Sequence, residues 1–132
     1  MALDLDKLVF VFGSNLSGLH GAGAARFAER NRGAVRGVFL GRSGMSYAIP
    51  TKDKAIRKTL ALPVIQHYIE GFLNYAFWHD KEEFQVTRIG CGLAGLKDEQ
   101  IAPLFKKAPR NCLFDEVWRP YLGDNFRYWG TV

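Results

Sequence analysis

The apolar positions of this chain fall into short runs separated by glycine-rich or charged stretches, and the spacing within each run predicts its element. Leu8 to Phe12 is continuously apolar and β-rich and is ended by Gly13, the pattern of a strand buried on both faces. Ala24, Ala25, Phe27 and Ala28 then recur at helical spacing with Arg26, Glu29 and Arg30 turned away, until Gly33 stops the helix. Val38-Phe39-Leu40 and Ser46 to Pro50 flank Gly41-Arg42-Ser43-Gly44 and read as two short strands joined by a turn. Pro63 suits a first helical turn, and Val64, Ile65, Tyr68, Ile69, Phe72, Leu73 and Ala76 keep an apolar face, which predicts the longest helix. Phe84 to Ile89 alternates as a strand, a shorter helix starts at Asp98 or Glu99, and Cys112-Leu113-Phe114 reads as a last short strand. The aromatic tail with Trp118, Tyr121, Phe126, Tyr128 and Trp129 packs on something or binds something. Strand, helix, two strands, helix, strand, helix, strand implies crossovers, hence a three-layer α/β domain with a mixed, partly parallel sheet between helices.

With 132 residues, 48% of them hydrophobic, one domain spanning 1–132 is expected, with a core large enough to fold without disulfides or metals. The formal charge of +5 comes from 18 basic and 13 acidic residues interleaved along the chain, which favours an anionic ligand without naming it. No apolar run approaches the ~20 residues of a membrane span, and acids stand at the start where a signal peptide carries bases. A cytoplasmic protein with no membrane partner is the expectation. Cys91 and Cys112 lack any metal-ligand or disulfide pattern, so neither metal nor cofactor is expected.

Two glycine-rich turns carry the candidate chemistry: Gly13 to Ala25 and Arg88 to Gly95 each follow a strand and precede a stretch with a helical pattern. Unpaired N–H groups at a helix N-terminus attract an anion, and glycine lets it approach closely. Ligands of such sheets bind beyond the carboxyl ends of the strands. Two turns there suggest a diphosphate held from both sides. The first turn is no Walker A loop, since no Gly-Lys-Ser/Thr follows Gly18, and the third glycine of a dinucleotide fingerprint counted from Gly21 is Arg26. Asn15 either bonds a ligand hydroxyl or closes an Asx turn. His20 is a candidate acid, base or phosphate partner, or else a solvated loop residue. Lys52, Asp53 and Lys54 open a charged connector; Asp53 either accepts a ligand hydroxyl, orients a water or caps the connector. Cys91 has no histidine near it in sequence and reads as a small residue rather than a nucleophile.

Gly21-Ala22-Gly23-Ala24-Ala25, following a strand and an asparagine, resembles the first ligand loop of macrodomains. Arg88-Ile89-Gly90-Cys91-Gly92-Leu93 is similar to their second loop, in the form found in the branch that includes terminal ADP-ribose protein glycohydrolase. Ser46 to Asp53, Ser-Tyr-Ala-Ile-Pro-Thr-Lys-Asp, also resembles a segment shared by small bacterial and phage macrodomain-like proteins. The resemblance implies a three-layer macrodomain-like fold and an ADP-ribose-type ligand, free or on an ADP-ribosylated macromolecule. It implies Asn15, Gly21, Ala22 and Gly23 on the diphosphate and distal ribose, with Gly90, Cys91, Gly92, Leu93, Ala94 and Gly95 closing over the diphosphate. It also implies a lysine after the Ser46 strand that attacks the anomeric carbon, a role for which Lys52 leads and Lys54 competes. Two departures are visible: Ala94 stands where that branch has an acid, and Asp4 and Asp6 precede the first strand instead of following it as an adenine-binding aspartate would. Phe114, ending the strand nearest the cleft, is the expected adenine or ribose contact.

The expected function is therefore binding of ADP-ribose or a related nucleotide diphosphate, with hydrolysis at the distal ribose as its enzymatic form. ADP-ribose 1″-phosphate phosphatase chemistry through His20 is the second enzymatic form. The rival is a non-catalytic nucleotide or nucleic-acid binding module, against which the interleaved acids count.

Overall fold

Alternation along one strand decides the architecture. The computed structural model describes residues 3–131, and in β1 (Val9–Asn15) Val9 and Val11 belong to one core while Phe10 and Phe12 belong to another. Successive side chains of a strand point to opposite faces, so a continuously apolar run needs cover on both. α1 (Gly23–Asn31) supplies one cover through Ala25 and Ala28; α2 (Leu62–Trp78) supplies the other through Ile65, Ile69, Phe72 and Ala76. The result is the three-layer α/β fold expected.

The remaining elements are β2 (Gly41–Ser43), β3 (Ser46–Lys52), β4 (Phe84–Val86), α3 (Asp98–Ile101), β5 (Cys112–Asp115), α4 (Arg119–Leu122) and β6 (Arg127–Gly130). The sheet runs β2-β3-β1-β4-β5-β6, with β2 antiparallel to β3 and every other neighbouring pair parallel.

Two local expectations are corrected, and a third is narrowed. The strand expected at Val38-Phe39-Leu40 is a turn, closed by Val38 N–H on Val35 O and tied down by Ser14 Oγ on Phe39 O, and pairing begins only at Gly41. The helix after Asp98 stops at Ile101 and continues as a 3-10 turn, Ala102–Phe105, because Pro103 has no N–H for the α-helical ladder. The aromatic tail is structural for the most part: Trp118 is fully buried, Phe126 and Tyr128 pack on the α2-side core, and Arg127–Gly130 adds the edge strand.

Candidate functional site

The carboxyl ends of β1, β3 and β4 meet at one point. Asn15 pairs with Lys52 across a register irregularity after Ser14, so the first glycine turn and the connector after Lys52 leave the sheet together. Thr87 donates both its N–H (3.1 Å) and its hydroxyl (2.7 Å) to Val11 O. That carries the second turn back over the end of β1, where a Cβ on Gly13 would lie 3.4 Å from the Gly90 nitrogen. Between the turns lies a cleft of about 1030 Å³, lined by Asn15 and residues 21–25 on one side and residues 90–94 on the other, with Lys52 and Thr51 on its wall.

The two turns present their amides differently. Arg26 is the first residue whose N–H bonds into α1, to Ala22 O at 3.2 Å, which leaves the first-turn amides of Gly23, Ala24 and Ala25 without helical partners at the cleft. The second turn is not a helix N-terminus, as its sequence suggested, because α3 has four residues and starts only after Lys97. It is a pair of tight turns, with Cys91 N–H on Arg88 O, Gly95 N–H on Gly92 O and Leu96 N–H on Gly90 O. Gly90 has φ +78°, and a Cβ there would sit 3.1 Å from Leu96 Cδ1, so only glycine fits.

Side chains from outside clamp the second turn. Thr59 Oγ1 donates to Ala94 O. Arg88 forms a fork with Asp98, Nε to Oδ1 at 2.8 Å and Nη2 to Oδ2 at 2.6 Å, and the Trp118 indole donates to the same Oδ1 at 2.7 Å. The Arg88 hydrogen bonds hold the Asp98 carboxyl below the usual carboxylate range.

Of the residues expected at the site, Asn15, Gly21, Ala22, Gly23, Lys52, Gly90, Cys91, Gly92, Leu93 and Ala94 line this cleft. Asn15 also closes an Asx-type turn: Oδ1 accepts from Ser17 Oγ (2.7 Å) and Leu19 N–H (3.1 Å), while Nδ2 donates to Leu19 O (2.7 Å). Asp53 caps its own connector, with Oδ1 accepting from Arg57 N–H at 2.9 Å and Lys58 N–H at 3.3 Å. Those bonds, Arg57 first, lower its carboxyl. Lys54 and Gly95 are exposed and lie outside the cleft lining. Burial pushes the Cys91 thiol up to about 12, which keeps it protonated and removes the thiolate a nucleophile needs.

Two expectations are corrected outright. Phe114 has no exposed surface; its ring packs 5.5 Å from Phe105 and 5.7 Å from Phe126 on the α2 side, so it belongs to the core and not to the cleft lining. His20 is not solvated: it is 3% exposed, edge-on to Phe12 at 5.4 Å, with neither ring nitrogen hydrogen-bonded among the described residues. It wedges the first turn from behind the cleft lining.

The cleft also takes in one residue of the aromatic tail and two that the sequence did not single out, Gln85 and Ile56. Trp129 of β6 donates its indole N–H to Val86 O at 2.9 Å and lines the cleft together with Gln85. Alternation was the available signal, since Gln85 stands between the core residues Phe84 and Val86. Ile56, in the connector, lines the cleft with φ +60°, a conformation rare for a β-branched residue and without a sequence signature.

No family model and no curated protein matches the sequence. Among solved structures the fold is similar to Thermosipho africanus DarTG in complex with ADP-ribose, at a TM-score of 0.62 and 16% identity over 84% of this chain. The chain spans 39% of the length of that neighbour. The likeness, with the mixed sheet between helices, is that of a three-layer macrodomain-like fold. No helix among the described residues is long and apolar enough to cross a membrane.

Proposed function

We propose that residues 1–132 form one binding module for ADP-ribose or a close nucleotide diphosphate relative, met free or attached to a macromolecule. The observation that carries this reading is the joining of both glycine turns around a single cleft of about 1030 Å³. One wall offers the first-turn amides of α1 and the other the turn amides of residues 92–94, so a diphosphate finds donors on both sides without ordering any long side chain. The fold neighbour's ADP-ribose complex supports the same ligand class.

Titration calorimetry with ADP-ribose, AMP and a short oligonucleotide tests it. A micromolar dissociation constant for ADP-ribose, about −8 kcal/mol, is expected, with AMP weaker. No heat and no thermal shift at millimolar ADP-ribose would overturn the reading; tighter, strongly salt-dependent oligonucleotide binding would favour the nucleic-acid module instead.

One observation favours an enzymatic extension, the position of Lys52 on the cleft wall beside Asn15. There its amine would form a bond to C1″ of the distal ribose as the C1″–O bond to the attached group breaks, and water would then free the sugar.

A further inference from the structure

The cleft continues beyond the glycine turns onto the α1-side face of the sheet, and that floor has its own chemistry. Register fixes who stands on it. Phe10 pairs with Gln85 and Gln85 with Leu113 across parallel strands, so these three share one face, whereas Val86, Phe114 and Tyr128 pair along the other. Trp129, left unpaired between Tyr128 and Gly130 at a register irregularity, lines the same cleft as Gln85. Its indole N–H reaches Val86 O two strands away, so the side chain crosses β5, and the ring lines the cleft together with Gln85. Gln85 is 4% exposed, lines the cavity, and its amide oxygen has no hydrogen-bond partner among the described residues. On the far side of Phe10, Arg32 lies over the Phe10 and Phe27 rings at 6.0 and 5.0 Å, held by a 3.3 Å contact to an Asp6 that is itself 83% exposed.

A buried amide acceptor left unmatched is costly, and a ligand donor that fills it recovers that cost. The flat indole beside it suits a planar ring, since base–aromatic stacking is favourable for every base. A glutamine amide matches the amino and ring-nitrogen edge of adenine in particular. Gln85 lies five residues before Gly90, at most about 17 Å along an extended chain, within reach of a nucleoside whose diphosphate rests on the glycine turns.

We propose that Gln85 is the base-reading residue of the cleft, selecting a 6-amino over a 6-oxo purine, with Trp129 as the platform on which the base lies. This rests on the nucleotide-diphosphate reading above and assigns the base recognition that no aspartate after the first strand supplies.

The test is calorimetry with ADP-ribose and its hypoxanthine analogue, in which a carbonyl replaces the exocyclic amine, on the wild-type chain and on Gln85→Met and Trp129→Leu. Wild type is expected to prefer ADP-ribose roughly tenfold. In Gln85→Met the preference disappears, because ADP-ribose binding falls to the level of the analogue. In Trp129→Leu both ligands weaken by a similar factor and the preference survives. Should Gln85→Met fail to fold by circular dichroism, Gln85→Asn, whose amide falls one methylene short, is expected to show the same loss of preference. ADP-ribose binding with an unchanged preference in a folded Gln85 variant, or no preference in wild type, overturns this inference and leaves the binding function standing. No binding of either ligand by wild type overturns both.

Discussion

At the scale of single residues, Gly92 is the cleanest test of the glycine turns. A Cβ added there would meet nothing within 4 Å, so the fold has no need of a glycine at this position, while the open space it faces is the cleft. Gly92→Val is therefore expected to keep its circular dichroism spectrum and thermal midpoint but to weaken ADP-ribose binding at least about tenfold, because the new methyls stand where a phosphate must approach the amides. Wild-type affinity in the folded variant would remove the second turn from the site. Gly90 behaves oppositely, since its φ of +78° and the 3.1 Å approach to Leu96 make substitution there a folding defect. The sequence shows both glycines but cannot tell them apart, because which one faces open space depends on the turn hydrogen bonds. The placement of Phe114 and His20 is hidden from the sequence for a related reason. Whether a side chain at a strand end or loop faces ligand or core is set by register and by the Phe12 contact, neither of which leaves a local pattern.

Elements rather than residues hold the second turn in place, and here pH is informative. Asp98 opens α3 and grips Arg88 and Trp118, tying turn, helix and core together. Its carboxyl is depressed in the folded state, chiefly by Arg88, below the ordinary value of 3.8. The stabilisation it gives is thus complete above pH of about 4 and lost as pH falls through the depressed folded value. Asp98→Asn is expected to lower stability at pH 7 by about 1–2 kcal/mol, the lower part of the range for hydrogen bonds to charged groups because the Arg88 side chain is 38% exposed. The gap between wild type and variant should narrow as the pH falls below about 4 and through the depressed folded value, read by urea denaturation at each pH; a pH-independent gap would show that the ion pair is not its source. The connector offers a second element-scale test. Ile56 at φ +60° stores about 1–3 kcal/mol of strain, so Ile56→Asn, better suited to that region, should raise the urea midpoint while removing an apolar contact from the cleft wall. Elements with strong periodicity, β1 and α2, were legible in the sequence. β2 and β6 were not, because a three-residue strand after a turn and an edge strand of Arg127-Tyr128-Trp129-Gly130 owe their form to the neighbours they pair with rather than to their own pattern.

The whole molecule places the cleft where chain direction reverses across the sheet. From β1 the chain goes through α1 to β2 and β3 on one side, then crosses by α2 to β4 on the other. β1 and β4 are neighbours whose following loops part in opposite directions, and a crevice at such a switch point is where open α/β sheets take their ligands. The glycine turns are the loops after those two strands, so topology and composition point to the same crevice. Binding and turnover separate at Lys52. It stands on the wall beside Asn15, while the donors proposed for the diphosphate belong to α1 and to residues 92–94, so removing its amine should spare binding. Lys52→Ala is expected to bind ADP-ribose within about threefold of wild type and, if wild type releases ADP-ribose from a modified protein or nucleic acid, to lose at least about a hundredfold of that rate, since the missing interaction is made only at the reacting carbon. His20→Ala should differ, loosening the first turn from behind and weakening binding and turnover together. Equal losses of affinity and rate in Lys52→Ala would make the lysine a ligand contact rather than a nucleophile. Wild-type binding with no release from either kind of substrate would leave a module that recognises ADP-ribose without cleaving it, with Ala94 in place of an acid as the physical reason.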